Sequence, residues 1–420
     1  MTHFLVFGTH SRISLAEFRA VQPQCSSPLL IGTAAIVTVE KWHGDALMQQ
    51  LGGTVKLGDI VATVRTSELT GEWLVGTLPP APPLKLRGGV RGGVDFGLTI
   101  FGSKKFSKLP IEFKRALTSR GISSRWVTGK DRGTIAPAAV AKLKLTTKGL
   151  DLCIFVDGDV AHIGVTTHVQ DADAWSRRDY GRPARDDVAG MLPPKLARIL
   201  VNLATPLLPL DNPARQSRED QAGGEEGRGV VLDPFCGSGT ILMEAALATD
   251  ARCIIGSDLD DEHISDTRKN IAWLVKMSIL HPHDEQRIKT FVSDARELRT
   301  HFQDSSIQCV ATEGTLGPPL KGHESRATLE RNARDITNLW IATLTELKPL
   351  LASTARVVCI WPAFKTTGGV ARVDIESQLP SLGYTLCDPF DGWNVPAGPL
   401  LYHRPGQKVM RRIVVLRPGS

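Results

Sequence analysis

The fold of the second half of this chain is decided by the segment Asp233-Pro234-Phe235-Cys236-Gly237-Ser238-Gly239-Thr240. It follows the short apolar run 229–232 and precedes a continuous helical pattern from Ile241 to Ala248. Glycine permits a sharp turn and a close approach of the backbone to a ligand, and a helix N-terminus offers free N–H groups. A strand, a glycine turn and a helix in this order predict a nucleotide pocket in a doubly wound α/β sheet. An ordinary tight turn is the alternative.

The next predicted strand, 253–258, ends in an acid. Asp258 lies about 20 to 25 residues after the glycine turn, the distance at which a carboxylate accepts hydrogen bonds from a ribose diol. Asp258 is therefore predicted to be a ribose ligand. The alternative is that Asp258 is the N-cap of the next helix, which is predicted over 262–274.

Length and composition agree with a soluble globular enzyme of two or three domains, because 420 residues exceed what one core usually serves. Of these residues, 42% are hydrophobic and 22% are charged. The seven cysteines are scattered and form no Cys-x-x-Cys pair, so we expect neither a disulfide framework nor a metal site. No apolar stretch approaches the roughly 18 residues of a membrane span. The expectation is a cytoplasmic protein without a membrane partner.

The net charge of +6 conceals a basic block from Lys85 to Lys148, which holds 15 Lys and Arg residues but three acids. Such a density of like charge is usually retained where a polyanion relieves the repulsion. A nucleic acid is therefore the predicted partner, and a solvated basic face is the alternative. The residues predicted to contact RNA are Lys104, Lys105, Lys108, Lys114, Arg115 and Arg125.

The glycine turn, with its Asp-Pro-Phe opening, resembles motif I of the S-adenosylmethionine-dependent amino-methyltransferases. The resemblance implies that S-adenosylmethionine is the cofactor, that Asp233 meets its ammonium group, and that Gly237 and Gly239 pass under its sugar. It also places Phe235 in the pocket. A third predicted strand leads into Asp294-Ala295, where the family has the acceptor for the adenine amine. An ordinary turn is the alternative for this last segment.

Segments on both sides of residue 172 resemble one family of RNA enzymes. The stretches 95–102, 121–127 and 135–145 look like pieces of a THUMP-type RNA-binding domain. The stretches 163–170, 178–183 and 190–197 are similar to the passage that joins this domain to its methyltransferase. Together with motif I, they resemble the THUMP-containing tRNA guanosine-N2 methyltransferases that act on guanosine 10. The resemblance implies tRNA as a partner and allows for a small activator subunit.

The expected architecture is a Rossmann-like, seven-stranded α/β methyltransferase domain preceded by an α+β RNA-binding region. We predict a ferredoxin-like domain over 1–80, a THUMP-like domain over 84–172 and the methyltransferase domain over 173–420. The proline-rich stretch 78–83 is the predicted linker. A polar, glycine-rich insertion is predicted at about 211–228.

Four charged residues precede a predicted buried helix with a proline start, and they are Arg178, Asp179, Arg182 and Asp186. They are interpreted as ordering the cofactor or an RNA phosphate. An internal cluster of ion pairs is the alternative.

The expected catalytic segment departs from the family pattern. Amino-methyltransferases end their fourth strand in Asp, Asn or Ser, then Pro-Pro and an aromatic residue, and some relatives carry Thr-Glu-Pro-Tyr. Here the predicted strand 307–311 leads into Thr312-Glu313-Gly314-Thr315. A carboxylate or a carbonyl must accept the protons of a guanine amine during methyl transfer. Glu313 and Thr312 are therefore the predicted catalytic residues. The alternative is a solvent-facing loop glutamate in an enzyme that has lost activity.

The predicted function is transfer of a methyl group from S-adenosylmethionine to the exocyclic N2 of a guanosine in tRNA. A catalytically silent RNA-binding relative and a DNA amino-methyltransferase are the alternatives. A cytosine-C5 enzyme is disfavoured, because Cys236 lies in the cofactor turn rather than in a Pro-Cys nucleophile position.

Overall fold

The computed structural model describes residues 1–78, 93–102, 106–129, 135–185, 191–205, 229–320, 322–366, 369–404 and 406–419. The chain divides into two compact units, which are treated separately below. The first unit comprises Met1–Ser14, Gln24–Ala174 and Gly392–Asn394. The second unit comprises Leu15–Pro23, Trp175–Asp391 and Val395–Ser420.

The first unit is built on one eight-stranded sheet with the order β2-β3-β1-β4-β8-β7-β5-β6. Its strands are β1 Thr2–Phe7, β2 Leu29–Ile31, β3 Ala34–Thr38, β4 Thr54–Arg65, β5 Val94–Phe101, β6 Ser124–Val127, β7 Leu150–Asp157 and β8 Val160–Val169. The first five helices are α1 Ser11–Val21, which begins in the first unit and ends in the second, α2 Gly44–Gln50, α3 Gly71–Thr77, α4 Leu109–Ser119 and α5 Pro137–Lys142. The apolar runs 4–7, 34–39 and 60–64 predict strands, and the stretches 13–21 and 44–51 predict helices. All five elements are confirmed.

Strands from both predicted N-terminal domains belong to this one sheet. Strand β4 pairs antiparallel with β8, in a register that runs from Lys56 opposite Val169 to Arg65 opposite Val160. Of the predicted linker 78–83, residues 79–83 lie outside the described residues.

The second unit contains a mixed sheet with the order β11-β10-β9-β12-β13-β17-β15, with β14 paired to β13 and β16 paired to β17. Its strands are β9 Val230–Asp233, β10 Cys253–Asp258, β11 Ile288–Val292, β12 Ile307–Glu313, β13 Leu351–Thr366, β14 Gly369–Arg372, β15 Tyr384–Leu386, β16 Leu400–Tyr402 and β17 Val409–Pro418. The helices are α6 Ala172–Tyr180, which begins in the first unit, α7 Pro194–Ala204, α8 Thr240–Ala248, α9 Asp261–Lys276, α10 Pro282–Glu285 and α11 Arg326–Leu347. The predicted α/β fold is confirmed for this unit.

The sequence of each central element explains its place. Strand β9 is buried along its whole length, as expected for a central parallel strand covered on both faces. Helix α9 begins with Asp260 as N-cap and with Asp261 and Glu262 in its first turn, where carboxylates favour the helix dipole. On α11, buried side chains such as Ile336, Trp340 and Leu344 recur at helical spacing and join the core.

Strand pairing sets the geometry of the site. Strands β10, β9, β12 and β13 run parallel, whereas β17 is antiparallel to β13. The chain moves outward from β9 through β10 to β11 and then returns to the other side of β9 at β12. Such a reversal of strand order opens a crevice at the carboxyl ends of the two strands.

The predicted insertion at about 211–228 lies outside the described residues. Among the helices of the described ranges, none combines the length and the hydropathy that a membrane span requires.

Candidate active site

Three predicted site residues are the last residues of parallel strands. Asp233 ends β9, Asp258 ends β10 and Glu313 ends β12. A cavity of about 830 Å³ opens at this edge of the sheet, and all three residues line it together with Phe235 and Gly237. The crevice expected from the strand order therefore contains five of the predicted residues.

The glycine turn requires backbone conformations that other residues rarely adopt. Gly237 has φ +51° and Gly239 has φ +84°, and Gly239 is the N-cap of α8. A Cβ at Gly239 would lie 2.8 Å from Cγ2 of Thr267, so a side chain does not fit. The Thr267 hydroxyl donates to the Gly237 carbonyl at 2.6 Å, which ties the turn to α9.

Asp233 is the most deeply buried acid of the cavity, with 1% of its surface exposed. Its Oδ1 accepts a hydrogen bond from the Thr312 hydroxyl at 2.7 Å and another from the Phe235 backbone N–H at 3.2 Å. Burial raises the pKa of Asp233 to about 7, and the charges of Asp258 and Glu313 add to the rise. Burial thus disfavours the ionised form of Asp233, and a cation that enters the cavity would stabilise that form.

Asp258 accepts three hydrogen bonds from neighbouring groups. Its Oδ2 accepts from the Gly237 N–H at 2.9 Å, and its Oδ1 accepts from the Asp260 N–H at 3.0 Å and contacts Nδ1 of His263 at 3.1 Å. The alternative interpretation as N-cap of the next helix is wrong. The N-cap is Asp260, whose side chain accepts from the Glu262 N–H at 2.8 Å.

Asp294 and Ala295 are not among the residues that line the cavity. Asp294 follows β11 and is engaged by Arg296, whose Nε donates to its Oδ1 at 2.9 Å. The Arg296 guanidinium lowers the pKa of Asp294. Ala295 is buried. The adenine-binding role of this segment stays a prediction.

Glu313 lies in the cavity wall and is paired with an arginine far away in sequence. The Arg411 Nε donates to Oε1 of Glu313 at 2.6 Å, and Nη2 donates to Oε2 at 3.3 Å. The Glu313 side chain is 11% exposed and the Arg411 side chain is 5% exposed. Burial raises the pKa of Glu313, and the Arg411 charge opposes that rise. The alternative of a solvent-facing loop glutamate is therefore wrong.

Thr312 is a buried residue that contacts Asp233. Its side chain is fully buried, and its hydroxyl holds Asp233 rather than facing the cavity. The threonine hydroxyl thus connects the ends of β9 and β12.

The departure from the family pattern at Gly314 has a physical reason. A Cβ at Gly314 would lie 2.9 Å from Cζ2 of Trp340, a fully buried residue of α11. The same indole packs against the Phe235 ring, with 5.6 Å between the centroids. Proline at this position would collide with the indole. Thr315, at the expected aromatic position, is exposed and lines the cavity.

The charged residues before α7 have separate roles. Arg178 is buried and its Nε donates to Oε1 of Glu244 at 2.7 Å, while Arg198 contacts Oε2 of the same carboxylate at 2.7 Å. Arg182 is also buried and donates to the Thr240 hydroxyl at 2.6 Å. The alternative of an internal ion-pair cluster therefore holds for Arg178. Asp179 lines the cavity, and Asp186 lies outside the described residues.

The predicted RNA-binding residues that the structure describes belong to the first unit. Lys108, Lys114 and Arg115 are exposed on or beside α4. Arg125 donates from Nε to Oδ1 of Asp95 on the neighbouring strand at 2.8 Å. Lys104 and Lys105 lie outside the described residues.

Two functional candidates were missed from the sequence. Arg411 gives no sequence signal, because it is separated from Glu313 by 98 positions and lies two strands away. Trp340 belongs to a helical pattern of core residues, but nothing in that pattern indicates a contact with Gly314.

Known proteins share both sequence and fold with this chain. A curated relative, the tRNA (guanine(10)-N2)-dimethyltransferase of Methanothermobacter thermautotrophicus, is 30% identical over 128 residues. That match covers 30% of this chain and 28% of the relative, so it spans less than a third of the relative's length.

The fold of this chain is also similar to those of solved structures. TrmN from Thermus thermophilus has a TM-score of 0.51 and 17% identity, with 100% of both chains covered, which shows a common fold. A possible methylase from Clostridium difficile 630 has a TM-score of 0.45 and 13% identity, with 100% of this chain and 99% of that chain covered. Residues 221–367 match the family model of UPF0020, an RMKL-like, methyltransferase domain. The stretch that is similar to this methyltransferase domain lies in the second unit.

Proposed function

We propose that the protein transfers a methyl group from S-adenosylmethionine to the exocyclic N2 of a guanosine in tRNA. The observation that carries the proposal is the single cavity that collects Asp233, Asp258 and Glu313 at the ends of β9, β10 and β12. The curated relative, whose name describes a tRNA guanine-N2 activity, supports the choice of substrate.

The residues of the cavity fit S-adenosylmethionine. Burial disfavours the charged form of Asp233, and a cation such as the methionine ammonium would stabilise its carboxylate. Asp258 is a carboxylate suited to the ribose diol, and the turn at Gly237 leaves open space beside the backbone. Phe235 and Gly239 shape the same turn, and Asp294 with Ala295 is proposed for the adenine. When bound, the cofactor supplies an electrophilic methyl group on a sulfonium.

Glu313 is proposed to act on the guanine amine. The lone pair of this amine is drawn into the ring, so a carboxylate that accepts its protons restores electron density at N2. As the new N–C bond forms and the methyl–sulfur bond breaks, the amine proton would pass to the Glu313 carboxylate and a neutral thioether would be left as the other product. Arg411 keeps this carboxylate in place, and the Thr312 backbone carbonyl is the other proposed acceptor.

The first unit is proposed to bind the tRNA. Its first four strands and two helices follow the order β1-α1-β2-β3-α2-β4, with the sheet order β2-β3-β1-β4, which supports the ferredoxin-like assignment. The exposed cations on and beside α4 support phosphate contacts in the THUMP-like part. The need for an activator subunit, the absence of a metal and the cytoplasmic location stay predictions.

Incubation of the purified full-length chain with S-adenosylmethionine and unmodified tRNA tests the proposal. We expect N2-methylguanosine in the nucleosides released from the tRNA, detected by mass spectrometry. Duplex DNA is the comparison substrate and should remain unmethylated.

Two outcomes contradict the proposal in different ways. Tight tRNA binding without methyl transfer at any enzyme concentration would identify a silent RNA-binding relative. Methylated adenine in the DNA arm, with unmodified tRNA, would identify a DNA amino-methyltransferase.

A further inference from the structure

We propose that Glu313, held by Arg411, selects the base by accepting hydrogen bonds from N1–H and N2–H of guanine, and so rejects purines that present an acceptor at N1. The inference rests on the proposed function, because it assigns a base-reading role within the same cavity. Arg411 is a positioning residue for Glu313.

The geometry of the pair leaves the carboxylate able to read a base. An ionised carboxylate has two oxygens and about four acceptor sites. Arg411 occupies one site on each oxygen, at 2.6 Å and 3.3 Å. Glu313 itself lines the cavity, so its remaining acceptor sites are available to a ligand there.

The environment makes the reading selective. Both side chains are nearly buried, and in such surroundings an unmatched polar contact costs more than it does in water. The Arg411 guanidinium is always protonated, and its charge favours the ionised, acceptor-only form of Glu313. Because the guanidinium forms two bonds, it also fixes the direction in which the carboxylate faces.

The chemistry of the base edges then decides which purine is accepted. Guanine presents two adjacent donors, N1–H and N2–H, whereas 2,6-diaminopurine keeps the N2 amine but presents an acceptor at N1. A carboxylate opposite that N1 places two acceptors together and leaves both unsatisfied. Loss of a hydrogen bond to a charged group corresponds to a fold-change of about 10 to 150 in affinity. A flipped base is commonly read on this edge.

The test compares two nucleotides on one protein preparation. The full-length chain, saturated with S-adenosylhomocysteine, is titrated with guanosine 5′-monophosphate and with the 5′-monophosphate of 2,6-diaminopurine riboside in equilibrium dialysis. We expect the guanine nucleotide to bind at least tenfold more tightly. Since both nucleotides are measured on the same sample, the ratio does not depend on the fraction of folded protein.

Variants of Glu313 and Arg411 distinguish a role in base recognition from a purely structural role. Glu313→Gln can donate to an N1 acceptor while its carbonyl accepts from the N2 amine, so the preference should fall to near one or reverse. Arg411→Met should reduce the preference without reversing it, and Arg411→Lys should restore part of it. The matched control is Glu376→Gln, which removes the acid that pairs with Arg412 on the same strand but is not among the cavity-lining residues.

Equal binding of the two nucleotides by the parent chain would overturn the inference, and so would binding of neither. A Glu313→Gln variant that weakens both nucleotides by the same factor would also overturn it. The outcome is distinguishable from that of the proposed function. A guanine preference without methylated tRNA leaves the base reading intact and removes the function, whereas methylated tRNA without a preference does the opposite.

Discussion

Asp233 and Asp258 line one cavity, but their carboxylates differ in burial and in the hydrogen bonds that they accept. Asp233 is buried with hydrogen bonds from Thr312 and Phe235, and its pKa rises to about 7. Asp258 receives backbone N–H donors at both oxygens. The first carboxylate therefore gains most from a bound cation, whereas the second is already held in a fixed position at the end of its strand.

Replacement of Asp258 by alanine should weaken S-adenosylmethionine binding by about 1 to 3 kcal/mol, because the ribose hydroxyls lose their acceptor. Isothermal titration calorimetry measures the effect. Asp260→Ala is the matched control, since Asp260 caps α9 and does not line the cavity. It should cost about 1 kcal/mol of stability and leave the affinity unchanged. An unchanged affinity in Asp258→Ala would remove Asp258 from the site.

The raised pKa of Asp233 predicts a pH dependence with a definite sign. Between about pH 4 and pH 7 the folded chain keeps a proton that the unfolded chain has lost, so this group's contribution to the free energy of unfolding falls as pH rises. A bound ammonium favours the carboxylate and expels the proton. Cofactor binding near pH 6.5 should therefore release protons, and affinity should rise from pH 6 to pH 7.

Calorimetry in two buffers of different ionisation enthalpy counts the protons released. Asp233→Asn should bind more weakly and release fewer protons. An identical proton release in that variant would assign the effect to another group.

At the scale of elements, the site depends on contacts between segments distant in sequence. The end of β12 packs against α11 through Gly314 and Trp340. Helix α8, which begins at the glycine turn, is joined to α6 and α7 through the carboxylate of Glu244. The positions of the glycine turn and of the end of β12 are therefore set by helices that supply few or none of the cavity-lining residues.

Gly314→Ala should destabilise the chain by about 1 to 3 kcal/mol, because its Cβ overlaps the Trp340 indole. Thermal unfolding measures the change, and Thr315→Ala at the exposed neighbouring position is the control. A double-mutant cycle with Trp340→Phe isolates the contact. In the Trp340→Phe background the alanine should cost less, and an equal cost in both backgrounds would place the strain elsewhere.

Glu244→Gln should lower stability by about 3 to 5 kcal/mol, because Arg178 and Arg198 would remain buried without the carboxylate. Urea unfolding followed by a probe in the second unit measures the loss. The control is Glu330→Gln, which breaks an exposed pair with Arg326 and should change stability by about 0 to 1 kcal/mol. Equal effects of the two substitutions would contradict an energetic role for the buried cluster.

At the scale of the whole molecule, charge and chemistry are separated along the chain. The basic block from Lys85 to Lys148 lies in the first unit, whereas the cavity lies in the second. The basic side chains Lys114 and Arg115 of α4 are exposed, whereas Arg411 in the second unit is buried. This division agrees with the proposed function, in which the first unit binds tRNA and the second unit carries out methyl transfer.

The affinity for tRNA should fall steeply with salt, because phosphate contacts release counterions. Alanine at each true contact among Lys104, Lys105, Lys108, Lys114 and Arg115 should flatten the log–log slope by a little under one unit. Arg125→Ala should change it less, since Asp95 engages that guanidinium. Lys276→Ala, on α9 in the second unit, is the control. A slope indifferent to all five substitutions would identify a solvated face.

The sequence by itself determined the parts of this protein that depend on neighbouring residues. The apolar strand, the two glycines with positive φ and the helix after them were predictable, because each depends on local backbone preferences. The acid that ends β10 was predictable for the same reason, and so were the strands near the N-terminus. The parallel pairing of β9, β10, β12 and β13 followed from alternating strands and helices.

Tertiary structure alone decided which of these residues meet and in what state. The pairing of Glu313 with Arg411, the fit of Gly314 against Trp340 and the joining of β4 to β8 all connect positions far apart in sequence. Their physical cause is strand order and packing, which local preferences do not contain. The raised pKa of Asp233 is likewise a result of burial, and burial is a property of the folded chain as a whole.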